Sequence, residues 1–139
     1  TSIDLERVIH QLDFDVYLPT KQCNLQRPFV WTLAQQQELI RSVLFGRAIP
    51  DVCIVAHEIN AKKDIYQVID GKQRLTTLIN FIQGKFDVDG YIFKDFGRDF
   101  LNFVKIKCVM YYSDQDRPIT DEQKIGLFKL INFSGTEHL

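Results

Sequence analysis

Apolar positions along the chain change period several times, and each change predicts an element. Ser2 precedes Leu5, Val8, Ile9 and Leu12, the stripe of a short amphipathic helix with Asp4 and Glu6 in its first turn. Residues 14–18 (Phe-Asp-Val-Tyr-Leu) alternate as a strand closed by Pro19, and Pro28 forces Arg27 into an extended conformation. Thr32 and Gln35 form a capping box for a helix carrying Leu39, Ile40, Val43 and Leu44 and ending at Gly46. Val52, Cys53, Ile54, Val55 and Ala56 make an unbroken apolar run, which predicts a strand buried on both faces. A polar turn at residues 60–64 joins it in a hairpin to residues 65–69.

The sharpest change of period falls on Asp70-Gly71. Before it lie Val68 and Ile69; after it Leu75, Leu78, Ile79 and Ile82 recur at helical spacing, up to Gly84. Beyond, residues 86–93 alternate around Asp89-Gly90 as a short hairpin, residues 96–103 suggest a helical turn, and residues 104–112 alternate as a clear strand. Thr120 and Gln123 form a second capping box, for a helix bearing Ile125, Phe128 and Ile131. The pattern predicts one α+β domain over residues 1–139, a small mixed sheet with packed helices. The chain starts without Met and ends just after a helix, so a fragment of a longer chain is expected.

Composition narrows the function classes. A 139-residue chain with 45% apolar and 25% charged residues is ordinary for a globular domain, and a net charge of −1 argues against nucleic-acid binding through bulk charge. There is no apolar run of membrane-span length and no signal peptide, so a cytoplasmic protein without membrane contact is expected. Cys23, Cys53 and Cys108 are widely spaced, and the last two lie in apolar runs, which predicts buried thiols in a reducing compartment. His10, His57 and His138 are too dispersed for a histidine-built metal site.

Chemistry concentrates where the strand period gives way to the helix period. Gly71 permits a sharp turn and close backbone approach, and the helix that follows presents unpaired N–H groups and a positive dipole end. Asp70, Lys72, Gln73, Arg74, Thr76 and Thr77 surround that point, a combination suited to a phosphate cradle. The same letters also describe an ordinary turn in which Asp70 caps the helix and Lys72 and Arg74 are solvated. Gln26, Arg27 and Trp31 form a second group, with Arg27 either a bidentate phosphate ligand or a surface charge. Asn132 is either a functional amide or a helix-end residue; Lys105 and Lys107 either flank a groove or form a solvated strand face. His57 and Glu58 follow a buried strand, with nothing specific to make either a general base.

Four segments in order then resemble one family. They are residues 25–31 (Leu-Gln-Arg-Pro-Phe-Val-Trp), residues 39–50 ending Phe-Gly-Arg-Ala-Ile-Pro, residues 66–81 with Val-Ile-Asp-Gly-Lys-Gln-Arg-Leu-Thr-Thr-Leu, and residues 128–136 (Phe-Lys-Leu-Ile-Asn-Phe-Ser-Gly-Thr). Together they resemble the N-terminal domain of GmrSD-type restriction endonucleases, of ParB/sulfiredoxin-like fold. The resemblance implies a nucleoside triphosphate site with Mg²⁺, and hydrolysis that regulates DNA cleavage by a separate nuclease domain, in defence against phage. The Asp-Gly-Gln-Gln-Arg motif of the family falls on Asp70, Gly71, Lys72, Gln73 and Arg74, its upstream Gln-Arg on Gln26 and Arg27, and its late Asn on Asn132.

By that resemblance Asp70, Arg74 and Arg27 carry catalysis, with Asp70 positioning water or holding Mg²⁺. Gly71, Lys72, Gln73, Thr76, Thr77, Gln26 and Asn132 contribute to nucleotide binding. Lys72 departs from the family's glutamine and adds a cation. No His-Asn-His nuclease signature is present, so no DNA cleavage is expected from this segment; DNA is reached through a partner or a downstream nuclease domain, and an oligomer is compatible with the sequence. Two alternatives stand beside hydrolysis: a nucleotide-gated, non-hydrolytic module binding DNA or protein, and an interaction domain that has lost catalysis.

Overall fold

The computed structural model describes residues 2–3, 5, 9–14, 17–18, 23–24, 28–60, 63–104 and 106–133. Its centre is strand β5 (Val52–Asn60), flanked by β6 (Lys63–Asp70) and β7 (Ile106–Ser113). β6 pairs with β5 antiparallel, as the hairpin pattern predicts, whereas β7 pairs with it in parallel after a long crossover. The crossover carries helices α2 (Lys72–Ile82), α3 (Phe93–Phe96) and α4 (Arg98–Phe103). Two-residue edge strands, β1 (Ser2–Ile3) beside β7 and β2 (Leu12–Asp13) beside β6, complete a five-stranded mixed sheet; β3 (Tyr17–Leu18) and β4 (Cys23–Asn24) pair separately.

β5 is buried because both sheet faces are covered. Val52 and Ile54 join Val68 under α2 and α1 (Leu33–Leu44), packing with Ile40, Val43, Leu75, Leu78 and Phe81. The alternate residues Cys53 and Val55 join Ile69 under α5 (Asp121–Phe133), against Ile125, Leu127, Phe128 and Ile131. Period 2 in the strand thus sends successive residues to two different helical layers. Phe81 anchors an aromatic cluster with Phe86, Phe93 and Phe100 at centroid distances of 5.5, 6.4 and 5.0 Å.

Local signals act as their chemistry requires. Thr32 and Gln35 exchange cap bonds of 2.8 and 3.2 Å, and Thr120 and Gln123 do the same at 2.8 and 3.2 Å. Asp89 and Gly90 both have positive φ, 53° and 85°, and Val88 and Tyr91 exchange backbone bonds on either side, a minimal hairpin. Arg41 on α1 grips the Asp89 carboxylate with two bonds of 3.0 and 2.9 Å, tying that turn to the helix.

Two expectations are corrected. Phe14 lies outside any strand, Leu12–Asp13 and Tyr17–Leu18 are short strands with different partners, and residues 15–16 of the predicted strand lie outside the described residues. Ser2 and Ile3 pair with β7; Leu5 is helical and its carbonyl accepts the Ile9 amide at 3.0 Å, residues 4 and 6–8 lie outside the described residues, and Leu12 belongs to β2 rather than to the predicted helix. Among the described residues, no helix is long and apolar enough to cross a membrane.

Candidate functional site at the start of α2

β6 ends at Asp70 and α2 begins at Lys72, with Gly71 between them at φ 112° and ψ 11°. A side chain at Gly71 is excluded twice. Its φ is one that L-residues avoid, and an added Cβ would lie 2.4 Å from Val52 Cγ1. The close approach is to the first residue of β5. The helix start has no side-chain cap, so the capping role considered for Asp70 is not taken. The first-turn amides of Lys72 and Gln73 therefore open an anion-favouring helix end, with no carboxylate or hydroxyl of the described residues on them.

Asp70 instead binds Arg74, one turn along α2, at 3.2 Å through Oδ2. The same guanidinium nitrogen donates to the Asp51 carbonyl at 3.0 Å. Both residues are buried, 7% and 3% exposed, so Arg74 is no solvated first-turn cation. A bulge brings Asp70 there. Cys53 opposes Asp70 and Ile54 opposes Val68, so the ladder skips one residue. Plain alternation would give Asp70 the face of Val68; the bulge gives it the face of Cys53, and the two line one cavity.

Gln73 turns away from solvent chemistry to hold the segment before α1. Its Oε1 accepts the amides of Val30 and Trp31 at 3.0 and 3.2 Å, and its Nε2 donates to the Pro28 carbonyl at 3.1 Å. This side chain docks the chain immediately after Arg27 against the start of α2. Gln26, Arg27 and the side chain of Asn132 lie outside the described residues. Thr77 is fully buried and donates its hydroxyl to the Gln73 carbonyl at 2.8 Å, a bond within the helix. Lys72 and Thr76 are partly exposed in the first turns.

We expect Gln73→Ala to release residues 28–31, with a loss of roughly 1–3 kcal/mol for three bonds of which the amide is the common partner. Faster hydrogen exchange at Val30 and Trp31 and a red shift of the single tryptophan would report it. Unchanged exchange at both amides would refute the docking role.

Two concave regions meet at this end of the sheet, both touching Pro50. One, about 420 Å³, lies between α5 and the β5–β7 strands and includes Asp70, Asp51, Cys53 and Tyr111. The other, about 290 Å³, includes Trp31, Glu38 and Arg74. Burial pushes the Cys53 thiol up to about 12, with the nearby Asp70 carboxylate adding to the rise, so it lines the first cavity as an apolar group and not as a nucleophile. Cys53 and Cys108 are both free and buried. Elsewhere, His57 Nε2 meets Gln67 Oε1 at 3.0 Å, Glu58 is exposed, and Lys107 lies with Arg47 and Asp51 beside a separate hollow of about 270 Å³. Lys105 is outside the described residues. Sequence reasoning missed Asp51, Val52 and the cavity-lining Tyr111, since nothing in their local pattern sets them beside Asp70.

No curated protein and no solved structure matches the chain. The family described as GmrSD restriction endonuclease, N-terminal domain, matches residues 14–136. That span runs from the segment before β3 through both sides of the Asp70–Arg74 junction to the end of α5, and the chain belongs to the N-terminal-domain family of GmrSD restriction endonucleases.

Proposed function

We propose that this domain binds a nucleoside triphosphate at the start of α2 and hydrolyses it to regulate DNA cleavage by a separate nuclease domain in defence against phage. The observation that carries the reading is the uncapped helix start at Gly71, with Lys72 in its first turn and the buried Asp70–Arg74 pair directly behind it. In this reading the first-turn amides, Lys72 and Thr76 meet phosphate oxygens, and Gln26 and Arg27, which precede in sequence the segment that Gln73 holds, add to the site. Arg27 supplies a cation where charge develops on the transferred phosphoryl group. Gln73 and Thr77 shape the site by fixing the backbone, and Asn132, in the last turn of α5, is its amide in this reading.

The acidic group at the junction fits a metal that arrives with the nucleotide. Such Mg²⁺ takes one or two carboxylates plus phosphate oxygens, and Asp70, the residue before the helix start, would supply one. When bound it would neutralise phosphate charge. A dedicated protein cage is not built: among the described residues there is no group of three His, Cys, Asp or Glu able to surround a metal.

One observation favours a second reading, a nucleotide-gated module without turnover that switches a DNA or protein interface. Arg74 is fixed by Asp70 and the Asp51 carbonyl, so it organises the junction and does not reach outward. Melting of the chain with ATP, GTP, CTP and UTP, with and without Mg²⁺, tests both readings. One nucleotide at a hundredfold excess over its Kd should stabilise the fold by about 2.7 kcal/mol, and Lys72→Ala should remove most of the shift. Phosphate release by the wild type, lost in Asp70→Asn with binding retained, supports hydrolysis. Binding without release under every condition leaves the gated module, and no shift with any nucleotide sinks both.

A further inference from the structure

We infer that the cavity between α5 and the β5–β7 strands holds the base of the nucleotide whose phosphates meet the start of α2. This rests on the nucleotide reading above and adds where the uncharged part of the ligand goes. The cavity measures about 420 Å³, within the range of small-ligand sites. Its walls are Val52, Val109, Leu127, Leu130 and Ile131, with the ring of Tyr111 among them. A flat apolar ring is the ligand part such walls favour, and the partly exposed Tyr111 ring offers a stacking face.

Charge decides the orientation. Among the described residues, the side chains that line this cavity include two carboxylates, Asp51 and the Arg74-paired Asp70, and no lysine or arginine. A triphosphate placed inside would meet the Asp51 carboxylate unfavourably, whereas base N–H donors would find an acceptor there. The anion-favouring helix end begins at Gly71, the residue after Asp70, and one residue spans about 3.8 Å. Base and phosphates of a single nucleotide can therefore occupy the two regions at once. The bulge at Cys53–Ile54 creates this adjacency, because it sends Asp70 to the α5 face.

The test separates base from phosphates. Titration calorimetry on the full chain compares inorganic tripolyphosphate with the nucleoside triphosphate that gives the largest melting shift, for wild type, Leu127→Trp, Tyr111→Ala and Lys72→Ala. The wild type should bind the nucleotide about tenfold or more tighter than tripolyphosphate, the scale of one stacked base. Leu127→Trp, which fills the cavity, and Tyr111→Ala, at a partly exposed position, should remove that preference and leave tripolyphosphate binding intact. Lys72→Ala should weaken both ligands. Equal nucleotide preference in wild type, Leu127→Trp and Tyr111→Ala would overturn the base assignment while the phosphate site stands. Failure of the wild type to bind either ligand would overturn the nucleotide reading and this inference with it.

Discussion

The Gly71→Ala chain should lose roughly 2–5 kcal/mol of stability, more than any other added methyl is expected to cost. Two penalties combine: an L-residue at φ 112°, and a Cβ placed 2.4 Å from Val52 Cγ1 and 2.8 Å from Val52 Cβ. Neither neighbour can yield easily. Val52 is 1% exposed and opens the central strand, and Gly71 joins the last residue of β6 to α2. Gly46 and Gly84 provide internal controls. They have φ of 73° and 75° with nothing within 4 Å of an added Cβ, so alanine there carries the backbone penalty alone, about 1 kcal/mol. Urea unfolding of the three variants measures the difference. A Gly71→Ala loss no larger than the Gly46→Ala loss would show that the close packing on Val52 is not what demands glycine.

The second large effect lies one turn along α2. Arg74→Ala should cost about 3–5 kcal/mol, because it strands a buried carboxylate; the pair's side chains are only 4% and 9% exposed. Asp70→Ala should cost a similar amount for the opposite reason. The two losses should not add: with both groups gone no uncompensated charge remains, and the double variant should recover about 1–3 kcal/mol relative to the sum. A double-mutant cycle by urea unfolding reads this directly, and strict additivity would mean that the ion pair is energetically idle.

This bears on how function is tested. Loss of nucleotide binding in Arg74→Ala would be expected from damage to the junction alone, since its guanidinium also anchors the Asp51 carbonyl. Lys72, partly exposed and in the first turn, is the residue whose truncation reports on phosphate contact without breaking the fold. For the same reason Asp70→Asn, which keeps the shape of the side chain and removes its charge, is preferred to alanine in assays of turnover.

Gly71 and Arg74 also show how far family membership and folding physics overlap. A Gly-x-x-Arg spacing at the start of a helix reads as ligand chemistry, yet the glycine is required by Val52 and the arginine binds Asp70 and the Asp51 carbonyl within the protein. The groups left facing outward at the junction are the first-turn amides and the partly exposed side chains of Lys72 and Thr76. The added cation of Lys72, where this chain departs from the family's glutamine, lies at a helix start that no side chain caps.

Local patterns determined much of this protein from the sequence alone. The two capping boxes, the Asp89-Gly90 turn, the β5–β6 hairpin and the two-sided burial of Val52, Cys53, Ile54 and Val55 all depend on residues close in the chain or on simple alternation. The family, and with it the position of the junction, was equally legible, because four short segments keep their order. What only the tertiary structure decided involves partners distant in sequence. Ser2–Ile3 and Leu12–Asp13 are strands because β7 and β6 offer free edges, and two residues are too few to carry a pattern of their own. The face of Asp70 depends on a bulge set by packing against β5, the bonds of Gln73 on a segment 42 to 45 residues away, and the cavity on where α5 comes to rest. Periodicity records which side of an element is apolar; which element arrives there, and what polar group it brings, is fixed only when the chain closes on itself.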